Sequence, residues 1–84
     1  MSQVTTKFYG SEEVETSVAN QELVPAGCEF RKLSFEADQD CQVRVNGKQL
    51  FIRAGRVLNI EPSDPSVGSF IVVNAGITFT WVAV

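Results

Sequence analysis

Cys28 and Cys41 are the only thiols of this chain, its ten carboxylates are the only general bases within reach of them, and there is no histidine. The lack of imidazole removes Ser-His-Asp and Cys-His nucleophile schemes and every His-based metal site. Two cysteines alone cannot complete a four-ligand zinc centre, and as thiols without a neighbouring base they read as buried, unreactive side chains. Asp38-Gln39-Asp40 and the group Glu61, Ser63 and Asp64 offer oxygen ligands. Neither has the ligand count or spacing of a calcium loop, so both are expected to be solvated turns. Nothing fixes a carboxylate pair at glycosidase separation, and there is no glycine-rich phosphate loop. The expectation is a protein that is not an enzyme and uses no cofactor or metal.

Two further sets of side chains bear on binding. Residues 1–40 carry eight acids and three bases, whereas residues 41–84 carry two acids and four bases. Those four bases, Arg44, Lys48, Arg53 and Arg56, flank Phe51 and form a small cationic patch with an aromatic in it. Such a patch suits an acidic protein surface. A net charge of -3 and a pI near 4.7 argue against nucleic acid as the partner. Trp81, Tyr9 and Phe51 are the aromatics that could stack on a sugar ring, although a lone Trp in an alternating apolar strand is more often core.

The elements that must position these residues are strands. At 84 residues and 44% hydrophobic composition the chain fits a single domain, residues 1–84, with an ordinary core and no sign of disorder. Nearly every segment alternates with period two. Asn46-Gly47 tolerates the positive φ angles of a type I′ turn and predicts a hairpin. In that hairpin Cys41 faces Ile52, Val43 faces Leu50 and Val45 faces Lys48, with Asp40 and Arg53 as a cross-strand charge pair. Leu33, Phe35 and Ala37 alternate with polar neighbours, while Cys28 and Phe30 have the opposite parity, which predicts a bulge near Arg31. Pro25-Ala26-Gly27 and Ala54-Gly55-Arg56 are turns. Val57 to Ile60 is a strand, and residues 61–68, with two prolines, form a loop. Weaker strands are expected over Gln3 to Tyr9 and Glu13 to Val18, and residues 1–10 could serve as an N-terminal arm.

Asn74-Ala75-Gly76 predicts a second hairpin, pairing Val73 with Ile77 and Ile71 with Phe79. Its inward face would be Ile71, Val73, Ile77, Phe79, Trp81 and Ala83. The opposite face would then carry Phe70, Val72, Thr78, Thr80, Val82 and Val84, a mixed rather than polar set, and a strand apolar on both sides sits in the middle of a sandwich or against a partner chain. Seven or eight short strands with turns at close intervals give an all-β fold, a compact antiparallel β-sandwich or jelly-roll-like barrel.

The span from Cys41 to Val84 contains a strand ending in Val-Asn-Gly, a turn at Ala54-Gly55, and the strands Ser69 to Val73 and Ile77 to Trp81. Together with Pro25-Ala26-Gly27 this resembles small all-β virion proteins of tailed bacteriophages, the capsid-decoration and fibre- or tail-associated modules. The resemblance involves turns and core positions and matches no functional motif. It implies a structural virion protein that forms a homo-oligomer, a trimer by preference, and binds the major capsid lattice or another virion protein. Met1 to Lys7 has no apolar run of signal-peptide length, and Phe70 to Val84 is too short and too interrupted to span a bilayer as a helix. Synthesis in the host cytoplasm and residence in the virion, with no membrane partner, are the matching expectations. On these grounds Phe70, Val72, Val82 and Val84 are expected at a subunit interface and Arg44, Phe51, Arg53 and Arg56 at a partner contact. The alternative is a glycan-binding β-sandwich module for attachment to a cell surface.

Overall fold

A computed structural model describes residues 8–84, all of it strand, turn and loop. Nine short strands form in chain order: β1 (Tyr9–Gly10), β2 (Glu15–Thr16), β3 (Gln21–Glu22), β4 (Leu33–Ala37), β5 (Cys41–Val45), β6 (Lys48–Ile52), β7 (Val57–Ile60), β8 (Phe70–Val72) and β9 (Thr78–Ala83). Every pairing is antiparallel. One sheet has the order β1-β9-β4-β7, with β2 continuing the β1 edge along β9, and the other has the order β3-β8-β5-β6. If β1 and β2 are counted as one interrupted strand, eight strands fall into two four-stranded layers in the order of a jelly roll. The antiparallel β-sandwich expected from the strand count is the observed fold. The predicted strand over Gln3 to Tyr9 and the predicted arm fall largely on residues 1–7, outside the described residues. Glu13 to Val18 contributes only the two residues of β2.

The core lies between the layers. β4 supplies Leu33, Phe35 and Ala37, β9 supplies Phe79 and Ala83, and the facing sheet supplies Cys41, Val43, Phe70 and Val72. Phe35 is the hinge of this packing, with its ring 5.1 Å from Phe70 of one sheet and 5.5 Å from Phe79 of the other. Large, nearly rigid rings meeting across the layers account for much of the apolar area removed from water.

The Asn46-Gly47 hairpin has the register read from the sequence, Cys41 to Ile52 through Val45 to Lys48. Asn46 and Gly47 both take positive φ, 49° and 85°, as a two-residue type I′ turn requires. The bulge is present as well. Arg31 and Lys32 both donate their backbone N–H to the Val84 carbonyl, at 2.9 and 3.3 Å, so two residues oppose one. This is what moves Phe30 and Leu33 onto the same interior. The Arg53 side chain does not define the far end of the hairpin. There the Asp40 carboxylate accepts a hydrogen bond from the Ala54 backbone N–H at 2.8 Å, closing the Ala54-Gly55 turn.

The second predicted hairpin does not form. β8 pairs with β3 and β5 and β9 pairs with β1, β2 and β4, so residues 73–77 carry the chain from one sheet to the other. The crossing is fixed by side chains distant in sequence. Asn74 Oδ1 accepts the Gln42 N–H at 2.7 Å, and Ser17 Oγ donates to the Asn74 carbonyl at 2.6 Å and accepts the Ile77 N–H at 3.0 Å. The consequence is a corrected interface assignment. Phe70 and Val72 are 0% exposed in the core of their own chain. Ile71 and Val73, expected inside, are only half-buried. Both faces of this strand are apolar, so period-two alternation alone could not choose between them. The crossing inverts the parity between Val72 and Ile77.

Candidate functional site

The side of the sandwich where β6 and β7 meet gathers most of the predicted partner contact. β6 and β7 are each the terminal strand of their sheet and are joined by the turn at Ala54-Gly55. Arg56 N–H donates to the Arg53 carbonyl at 3.1 Å, and Gly55 has the positive φ, 76°, that such a tight reversal needs. The turn holds Arg53 and Arg56 side by side over an open groove of about 310 Å³ lined also by Phe51, Val57 and Leu58. Phe51 is 59% exposed, which is unusual for a phenylalanine and places its ring on the outer face of the sheet. Arg44 sits one strand inward on that face, half-buried, with Nη2 donating to Gln49 Oε1 at 3.4 Å. Phe51, Arg53 and Arg56 therefore come together, with Arg44 beside them rather than among them. Val57, exposed on the same groove, was not singled out from the sequence, because a valine in an alternating strand carries no sign of which face it takes.

A second groove, of about 690 Å³, runs along the outer surface at the end of β9. Phe8, Arg31, Lys32, Pro62, Val82 and Val84 line it. Val82 and Val84 are 47% and 39% exposed, so of the four predicted interface residues these two remain on the surface. Phe8, carried in beside β1 where it pairs with β9, and the Arg31-Lys32 pair at the bulge are additions to this place.

The remaining candidates for chemistry have structural partners. Asp64 caps its own turn, accepting from the Glu61 N–H at 2.9 Å. Cys41 is buried, and burial pushes its thiol above the ordinary value, with the Asp40 carboxylate adding to the shift. A thiol held in its neutral form in this way is a poor nucleophile. Cys28 lies 4.0 Å from the Tyr9 hydroxyl, and this contact raises the Tyr9 pKa. Tyr9 and Trp81 both pack on the buried Phe30 ring, at 5.1 and 6.0 Å, so these two aromatics belong to the core margin. They do not share a surface with Phe51.

Glu22 and Asn46 have roles the sequence did not reveal. Glu22 accepts from the Phe70 N–H at 2.7 Å and from Ser69 Oγ at 2.6 Å, tying β3 to β8. Asn46, besides making the turn, donates to the Ser66 carbonyl at 2.8 Å and accepts from the Gly68 N–H at 2.9 Å, anchoring the proline-containing loop to the hairpin. No family model, no curated protein and no solved structure matches this chain.

Proposed function

We propose that this protein is a non-enzymatic structural component of a bacteriophage virion, an accessory β-sandwich that assembles with copies of itself and attaches to a larger shell. The observation that carries the reading is the apolar surface at Val82 and Val84, exposed on the outer face of β9 beside Phe8 and open along a groove. Apolar side chains gathered on an outer sheet face are a common mark of protein contact. The groove at Phe51, Arg53 and Arg56 supports a second contact, with an acidic protein surface. Two separate contact surfaces on one small rigid body suit a lattice-bound accessory, which must meet both its own copies and the shell.

The test is the solution mass of the chain by light scattering over a wide range of concentration. A stable oligomer that Val82→Asp shifts toward monomer is the expected result. A chain that stays monomeric at the highest concentration would overturn the self-assembly part of this reading. Of the three aromatics that the alternative, a glycan-binding module, would use, Phe51 is the exposed one, because Tyr9 and Trp81 pack on Phe30.

A further inference from the structure

The two sides of the sandwich are oppositely charged. From Lys48 to Ile60, the segment that makes β6, the turn and β7, the chain carries Lys48, Arg53 and Arg56 and no acid. From Phe8 to Glu22, the segment that makes β1, β2 and β3 on the opposite side, it carries Glu12, Glu13, Glu15 and Glu22 and no base. The strand orders put these segments at opposite ends of both sheets. Each charged side also has its own exposed apolar pair: Phe51 and Val57 on the basic side, Val14 and Val18 on the acidic side, all more than half exposed.

Three strand spacings of ~4.8 Å separate the two ends of a sheet, about 14 Å. That exceeds the screening length of roughly 8 Å at physiological ionic strength. The two sides therefore do little to neutralise one another within a chain, and their charge is available to a partner in contact. Of the acids near the basic side, Asp40 accepts from the Ala54 N–H and Asp64 from the Glu61 N–H, while Glu36 is exposed opposite Val57 in the β4–β7 register. Like sides repel when two copies meet by a two-fold axis on either charged side, whereas unlike sides attract.

We infer that the acidic surface met by the Phe51, Arg53 and Arg56 groove is the β1–β2 side of a second copy of this chain, so that the protein associates head to tail. This inference rests on the self-assembly proposed above and adds to it a second contact between copies, distinct from the Val82 and Val84 face. Charge complementarity sets the orientation, and Phe51 and Val57 against Val14 and Val18 supply the apolar contact. A head-to-tail contact of this kind closes into a ring when its rotation allows and otherwise grows as a filament. It excludes a two-fold dimer through either charged side.

The experiment compares three chains by light scattering and sedimentation at equal concentration, with circular dichroism to verify the fold. Arg53→Glu with Arg56→Glu gives a chain acidic on both sides, and we expect its self-association to weaken at least tenfold. Adding Glu12→Lys, Glu13→Lys and Glu15→Lys to that chain makes the β1–β3 segment net positive against a net negative β6–β7 segment, and association is expected to return. For the unmodified chain, raising salt from about 0.1 M to about 1 M, where the screening length falls to ~3 Å, should also weaken association. An unmodified chain that is monomeric throughout would overturn the self-assembly reading itself. An oligomer unmoved by the double reversal and by salt would overturn only the head-to-tail contact. So would a reversed chain that is not rescued by the exchange.

Discussion

The β5–β6 hairpin and the crossing from Val72 to Ile77 both pass through an Asn and a Gly, yet one folds a strand back on its neighbour and the other sends it to the opposite sheet. In the hairpin two adjacent residues, Asn46 and Gly47, take positive φ, and that pair of angles has few outcomes other than a two-residue loop. In the crossing only Gly76 does so, at 77°, and the path is set by Gln42 and Ser17, residues far away along the chain. A turn whose own dihedral angles close a ladder is specified locally. A turn with one permissive residue takes whichever path its distant partners stabilise.

The strongest way to break both regions together is Phe35→Ala, because this ring packs on Phe70 before the crossing and on Phe79 after it. The loss should be about 3–5 kcal/mol by denaturant unfolding. A cost below about 1 kcal/mol would mean that the layers are not joined there. Next in size is Ser17→Ala, which leaves the Ile77 N–H without its buried partner and removes the bond to the Asn74 carbonyl. A destabilisation of about 1–3 kcal/mol is expected. Hydrogen exchange sharpens the comparison, since the Gly76 and Ile77 amides should lose protection while that of Lys48 keeps it. Equal loss at both places would show that the hairpin depends on the crossing.

Asn46 separates turn from anchor. Asn46→Gly keeps the positive φ and removes the side-chain bonds to residues 66–69, an expected cost of about 1 kcal/mol. Asn46→Ala keeps a Cβ in the left-handed region without the polar side chain that lets Asn tolerate it, so it should cost about 1–2 kcal/mol more than Asn46→Gly. Identical unfolding midpoints for the two variants would show that backbone conformation is not what selects Asn46. The smallest effect is expected from Cys41, in the first position of β5. Its thiol is raised in the folded chain, so the stability it contributes is complete below the ordinary thiol range and is lost as pH rises through the raised value. Folding stability followed into alkaline pH should therefore decline less steeply in Cys41→Ala than in the unmodified chain, and parallel curves would remove the thiol as the cause.

Much of this molecule was legible in its residues. The Asn46-Gly47 register, the inward set Leu33, Phe35 and Ala37, the bulge at Arg31 and the turns at Gly27 and Gly55 follow from φ preference and period-two alternation, which act between near neighbours. The basic groove was half legible, because Phe51, Arg53 and Arg56 stand on one hairpin and its following turn. The exposed Val57 and the opposing acidic side were not, since they depend on which strands end each sheet. The assignment of Phe70 and Val72 to a subunit interface failed for a related reason. In a strand apolar on both faces, composition leaves the inward face undetermined, and only the facing layer decides it. Alternation and turn chemistry thus determined the strands and where they reverse. Tertiary structure alone decided which sheet each strand joins, through contacts such as Ser17 to Ile77 whose partners are brought together only when the two layers close over Phe35.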